Sequence, residues 1–362
     1  MKIVTIGDAM IQGEPFSKAA ALLGDHEIVT TNWETDWGRL QNRRLIIEQK
    51  GPGVEEIPSM FLENKDADMV LGLFAPFSAE AMDVFHDLKC IGVSRAGTEN
   101  IDIEAATERG ILVVHVMGRN AEAVSDFTIG LILSESRNIA RAHASIQNGQ
   151  WRKEFSNAGY IPELKGKTVG IIGFGHIGRL VAKKLTGFDV NLLVYDPYVD
   201  PDHSANTLSV NFIHNKDQLF READFITVHA RLTVENHHFI GRKEFEKMKP
   251  TAYLINPARS DLVDTEALVV ALSQNRIAGA GLDVFDIEPI PEDHPLLALD
   301  NVTLTTHIAG TTTDALTKSP FLLVEEIQKI LSGEKTNWIK NPVVLDHPRI
   351  KKWLKKNMPF ES

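Results

Sequence analysis

A short apolar run, Val169-Gly170-Ile171-Ile172, leads directly into Gly173-Phe174-Gly175-His176-Ile177-Gly178, after which Ile177, Leu180, Val181 and Leu185 recur at helical spacing. That order confines the segment to a strand, a tight turn and a helix packed back on the strand. In such a unit the first glycine permits the turn, the second lets backbone N–H groups approach an anionic group, and the third lets the helix close on the strand. A bare Gly-x-Gly-x-x-Gly string is weak evidence; the strand before it and the helix after it make it specific.

A second apolar run, Leu192-Leu193-Val194-Tyr195, ends at Asp196, eighteen residues beyond Gly178. There a carboxylate accepts hydrogen bonds from ribose hydroxyls, so the pair of features points to a dinucleotide whose pyrophosphate rests on the turn. A 2′-phosphate would meet a like charge at Asp196 with no Arg in Asp196-Pro197-Tyr198-Val199-Asp200 to neutralise it, which favours NAD over NADP. The competing reading is a purely structural turn and a surface Asp.

The rest of the chain repeats the strand-and-helix rhythm. Ile3 to Ile6, Met69 to Leu73, Cys90 to Val93 and Ile111 to Val114 read as strands, with helix-like stretches at Lys18 to Leu23, Ala79 to Phe85 and Ile103 to Arg109. Beyond the turn, Phe225 to Val228, Tyr253 to Ile255, Ala280 to Val284 and Val302 to Thr305 continue the series. The alternation predicts an α/β protein of two doubly wound parallel-sheet domains. Asn120 to Arg141 reads as one long apolar helix, and Ala315 to Leu331 as a helix capped by Gly333. Residues 31–53, with Trp33, Trp37 and Arg43-Arg44, read as a helix, a lid or both. The tail from Pro348 to Lys356 is a basic amphipathic helix candidate, for which docking on its own domain is preferred over a membrane or partner role.

With 38 Lys and Arg against 49 acidic residues, the net charge of -11 disfavours nucleic acid or an anionic membrane as the main partner. The single cysteine, Cys90, permits no intrachain disulfide, and neither a signal-peptide core nor a run of about 18 apolar residues is present. A cytoplasmic location is expected. His229, Glu235, His237 and His238 do not form a convincing metal cluster, because adjacent strand residues face opposite ways.

Ligands of parallel sheets bind beyond the carboxyl ends of strands, so catalytic groups are sought there. Arg259 follows the strand ending at Ile255-Asn256, Asp283 and Glu288 follow the run from Ala280, and His307 follows Leu304-Thr305-Thr306. Hydride transfer at the carbinol carbon of a hydroxy acid needs a planar cation for the carboxylate, which Arg259 supplies. It also needs a group to take and return the hydroxyl proton, which suits His307, and a carboxylate to fix and stabilise that imidazole, which suits Glu288. Taken singly, each has a plainer reading as a salt-bridge partner, a loop acid or a hydrogen-bonded strand-end histidine.

Leu88-Lys89, Asn100-Ile101-Asp102, Ala105 to Ile111, the glycine turn, Leu254-Ile255-Asn256, Ala258-Arg259, Leu262-Val263-Asp264, Gly281 to Phe285, Glu288-Pro289 and His307-Ile308-Ala309-Gly310 together resemble the D-specific 2-hydroxyacid dehydrogenases, from about residue 67 to 331. The resemblance, nearest to the phosphoglycerate dehydrogenase branch, implies NAD-dependent interconversion of a 2-oxo acid and a D-2-hydroxy acid by the trio Arg259, Glu288 and His307. It implies that Gly173, Gly175, His176, Ile177, Gly178, Asp196, His229 and Asp283 serve the cofactor, Asp283 at the nicotinamide carboxamide. Arg95, Ala96 and Gly97, with Arg259, would hold substrate. The implied architecture is a Rossmann NAD-binding domain, residues 118–308, inserted into a discontinuous flavodoxin-like substrate domain, residues 1–117 and 309–362. Closure of the two domains on a small-molecule substrate and a homodimer joined through residues 120–151 are further implications.

The chain departs from the family pattern in places. The loop Arg95 to Asn100 is two residues shorter than in many members, Ser260-Asp261 stands where Gly is common, and Arg231 stands where Pro is common. Glu288 argues against formate oxidation, a branch that has Gln there. An NAD(H)-sensing, corepressor-like binding protein is the alternative of a different class. Arg95, Arg119 and Arg231 read equally well as phosphate- or polyol-recognising groups and as makers of surface ion pairs.

Overall fold

The apolar runs form parallel strands buried on both faces, the pattern required when helices cover each side of a sheet. The computed structural model of the protein describes residues 1–199 and 209–357, and it divides into two units: residues 1–119 with the described residues from 312 on, and residues 120–311.

In the first unit the described strands β1 (Lys2–Gly7), β2 (Glu27–Asn32), β3 (Met69–Gly72), β4 (Cys90–Val93) and β5 (Leu112–His115) pair in the order β2-β1-β3-β4-β5, all parallel. Successive strand residues point to opposite faces. Ile3, Met69, Leu71, Leu112 and Val114 enter one core with Leu323 and Ile327 of the helix Thr313–Leu331, while Val4, Val70, Ile91 and Val113 enter the other with Phe61, Phe77 and Phe85. The helix Trp37–Lys50 occupies most of the 31–53 segment, capped by Asp36 accepting from the Arg39 amide. The tail helix Pro348–Asn357 docks on the first core through Ile350 and Trp353 and ties Arg349 to Asp87.

In the second unit the described strands are β6 (Thr168–Ile172), β7 (Asn191–Tyr195), β8 (Asn211–Phe212), β9 (Phe225–Val228), β10 (Tyr253–Asn256), β11 (Gly279–Leu282) and β12 (Val302–Leu304), ordered β12-β11-β10-β9-β6-β7-β8 and again all parallel. The chain runs outward from β6 through β7 and β8, then returns to β9 on the other side of β6. The end of β6 is therefore the switch point at which such sheets hold ligands.

The stretch expected as one helix from 120 to 141 is two, Ala121–Ser136 and Ile139–Gln147. Asn138 breaks it by adopting a left-handed conformation, φ 59°. The break is stabilised from within the unit: Asn138 Nδ2 donates to Asn157 Oδ1, and Arg141 Nη1 donates to Asn138 Oδ1. Arg141 also pairs with the fully buried Glu135, whose carboxyl burial pushes upward in pKa and which accepts from Thr303 Oγ1. Among the described residues, no helix is long and apolar enough to cross a membrane.

Candidate active site

The glycine turn closes β6 onto the helix His176–Leu185 with no space to spare at two of its glycines. Gly173 has φ 90°, and a Cβ there would lie 2.5 Å from the Ala230 nitrogen; one on Gly178 would lie 2.1 Å from the Gly173 carbonyl oxygen. Gly175, in contrast, faces open space and caps the helix, with no side chain competing for the amides of the first turn. That is the shape of an anion cradle: free N–H groups at the positive end of a helix, approachable by a ligand because no Cβ intervenes. His176 is exposed and Ile177 half-buried beside it.

Register places Tyr195 beside Ile172, so Asp196 emerges next to the turn. Its Oδ2 accepts from the Phe174 amide at 2.7 Å and its Oδ1 from the Tyr198 amide at 2.9 Å. Each oxygen keeps a lone pair for a ribose hydroxyl. Turn, acid and open cradle fit a dinucleotide.

His229 follows β9 and completes the wall against Gly173, whose missing Cβ would meet its carbonyl carbon at 2.7 Å. Its Nε2 and Thr227 Oγ1 are 2.9 Å apart, and its Nδ1 is buried with no partner among the described residues. Burial pushes its pKa down to about 3, so the ring is neutral at physiological pH.

The three strand ends beyond β10, β11 and β12 lie side by side, because Asn256 pairs with Leu282 and Leu282 with Leu304. His307 Nδ1 is 2.7 Å from Glu288 Oε2, and Glu288 Oε1 accepts from the Phe285 amide at 2.9 Å. Arg259 is exposed; its Nη1 donates to its neighbour Ala258 O, and it pairs with no carboxylate among the described residues. A guanidinium so placed retains donors for an anionic ligand.

Asp283 is fully buried and already occupied. Its Oδ1 accepts from Thr305 Oγ1 (2.7 Å) and the Ile308 amide (3.0 Å), its Oδ2 from the Ala309 amide (2.8 Å). These bonds fasten the loop that carries His307, whose backbone is left-handed at φ 57°. The sequence points Asp283 to a cofactor contact; in the fold its carboxylate fastens the loop that carries His307, a role set by pairing at a distance.

The expected substrate loop lies in the first unit. Arg95 Nη2 donates to Glu48 and Glu99, Ala96 O faces His115 Nδ1 at 2.8 Å, and a Cβ on Gly97 would press on Arg95 Nη2 at 2.5 Å. Arg231 is exposed after β9. Among the described residues no group of three or more His, Cys, Asp or Glu is placed to hold a metal.

Comparison with known proteins gives the same direction. Residues 129–309 match the model of the D-isomer specific 2-hydroxyacid dehydrogenase NAD-binding domain. A glyoxylate reductase of Thermofilum pendens is 43% identical over 287 residues, 78% of this chain and 84% of that protein. A D-3-phosphoglycerate dehydrogenase of Methanocaldococcus jannaschii is 40% identical over 279 residues, 76% of this chain, which spans about half (52%) of that longer relative. The NAD-complexed structure of a D-isomer specific 2-hydroxyacid dehydrogenase from Lactobacillus delbrueckii ssp. bulgaricus aligns with a TM-score of 0.74 at 25% identity, covering 94% of this chain and 100% of that one.

Proposed function

The chain belongs to the D-isomer specific 2-hydroxyacid dehydrogenases, a family of NAD-dependent oxidoreductases, and on that premise we propose that it interconverts a 2-oxo acid and a D-2-hydroxy acid through His307, Glu288 and Arg259. The observation that carries this reading is the 2.7 Å contact of His307 Nδ1 with Glu288 Oε2, at a strand end beside the one that leads to Arg259. Glu288 accepts a hydrogen bond from Nδ1–H and so leaves Nε2 to act as the base. In oxidation Nε2 takes the hydroxyl proton, and the resulting imidazolium is stabilised by Glu288; in reduction it returns that proton to the forming alkoxide. Arg259 grips the substrate carboxylate with its planar fork and so fixes the carbon that gains or loses hydride. NAD, when bound, supplies the hydride acceptor, or as NADH the donor. The turn from Gly173 to Gly178, Asp196, His229 and Asp283 are the residues proposed to hold it.

The test is a panel of 2-oxo acids, from glyoxylate and pyruvate through hydroxypyruvate and its phosphate to branched acids, followed by loss of NADH absorbance. Turnover of at least one member is expected; tight NADH binding with no turnover across the panel would instead favour a cofactor-sensing role, which no observation here supports. Repeating the panel with NADPH should give kcat/KM lower by roughly tenfold or more, since about 1.4 kcal/mol of repulsion at Asp196 already amounts to one decade. Equal use of both cofactors would contradict the role given to Asp196.

We also propose a homodimer formed through residues 120–151. Ile139 (56% exposed), Ile146 (60%) and Trp151 (79%) project apolar surface of the kind that marks an interface. Light scattering should return about twice the 40.2 kDa chain mass, and Ile146→Asp with Trp151→Asp should yield monomers; a monomeric wild-type protein would dismiss the proposal.

A further inference from the structure

Apart from the hydride-transfer residues, the first unit gathers three arginines whose side chains bear buried donors without partners among the described residues: Arg44 Nε, Arg95 Nη1 and Arg119 Nη1. Each comes from a different element. Arg44 belongs to the helix Trp37–Lys50, Arg95 follows β4, and Arg119 follows β5. Phe74, just past β3, lies against two of them, its ring centroid 4.6 Å from the Arg95 guanidinium carbon and 5.7 Å from that of Arg44. Burial, and then the charges of Arg95 and Arg44, hold Arg119 below the usual arginine range, with Asp8 opposing.

The surrounding carboxylates do not use up these donors. Glu48 and Glu99 both accept from the single Nη2 of Arg95, at 2.9 and 2.8 Å, and Glu48 stands 3.7 Å from Arg44 Nε, too far for a hydrogen bond. Asp8, whose pKa burial raises to about 6, accepts at Oδ1 from the Met10 and Ile11 amides and makes no hydrogen bond to Arg119 among the described residues. Buried guanidinium donors left open in this way are satisfied by an oxyanion.

Topology points to the same place. The order β2-β1-β3-β4-β5 reverses between β1 and β3, and the crevice past the carboxyl ends of those strands is where open parallel sheets bind ligands. Asp8 follows β1 and Phe74 follows β3 at this edge. Gly97 lets the chain lie close against the Arg95 fork.

We propose that Arg44, Arg95 and Arg119 form an anion subsite that takes a phosphate ester or a second carboxylate on a small organic acid. The second arm below rests on the hydride-transfer reading, and asks whether the acid that is turned over carries such a second anionic group. Two arms test this on the full chain. In the first, titration calorimetry measures inorganic phosphate and succinate binding to the wild type, Arg44→Met and Arg119→Met, with Arg119→Lys retaining charge without the fork and thermal melts confirming folding. At least one anion should bind the wild type and bind each Met variant tenfold or more weakly. In the second, kcat/KM is compared for hydroxypyruvate against its phosphate, and for 2-oxobutyrate against 2-oxoglutarate. Arg119→Met should lose tenfold or more on the charged member of one pair and less than twofold on its partner; the affected pair distinguishes phosphate from carboxylate. Binding of neither anion, equal binding by wild type and variants, or parallel losses within both pairs overturns the subsite. Arginine-dependent anion binding with no turnover of any acid overturns the hydride-transfer reading and leaves the subsite standing.

Discussion

His307→Ala is expected to lower kcat by about two to four decades, the usual contribution of a positioned acid–base group, while leaving the fold and NADH affinity intact. The geometry makes the experiment clean. The His307 side chain is 49% exposed and its ring nitrogen partner is Glu288, so its removal opens no core cavity and strands no buried charge. The loop backbone stays fastened by Asp283, which bonds the Ile308 and Ala309 amides and not the imidazole. Steady-state rates with the best acid of the panel, together with NADH fluorescence titration, separate the proton-transfer role from a structural one. Near-normal kcat in the variant would remove His307 from the mechanism.

Arg259→Ala is expected to reduce kcat/KM by about two to four decades, because two charge-assisted hydrogen bonds to a carboxylate amount to roughly 3–5 kcal/mol. The loss should appear in KM and kcat together, since the same grip captures the acid and orients its carbon. Arg259→Lys should recover only part of it, as an ammonium offers a point charge in place of the planar fork. The side chain is exposed and donates to the adjacent Ala258 carbonyl, so the substitution removes no buried packing. A variant whose kcat/KM stays within threefold of wild type would show that another group holds the carboxylate.

Much of the architecture is readable in the sequence because parallel strands covered on both sides must be continuously apolar, as Met69 to Leu73 and Tyr253 to Ile255 are. β2 escapes that logic. Glu27–Asn32 lies at a sheet edge, half of its residues exposed and the rest half-buried, and Glu, Thr and Asn conceal its strand character. The break at Asn138 is equally silent, since the apolar pattern continues across it and the cause is a side-chain network reaching residue 157. At the candidate site, short links between strand and side chain make Arg259, Asp283 and His307 visible as strand-end groups. The Glu288–His307 pairing is legible too, but other pairing at a distance is not: that Asp283 fastens the histidine loop, and that Arg44, from an irregular-looking segment, gathers with Arg95 and Arg119.

The chain passes between its two units twice, at residues 119–120 and 311–312. Every residue of the proposed trio, and the turn with its acid, lies between those crossings in one uninterrupted stretch. A gene exchange with two junctions therefore carries the proposed trio and the cofactor turn together as a cassette, while the flanking coding sequence, with the three arginines, diverges on its own. On the proposed assignment of the trio and the arginines, anion recognition and hydride-transfer chemistry are separately heritable, so new substrates are most directly sought by varying residues 1–119.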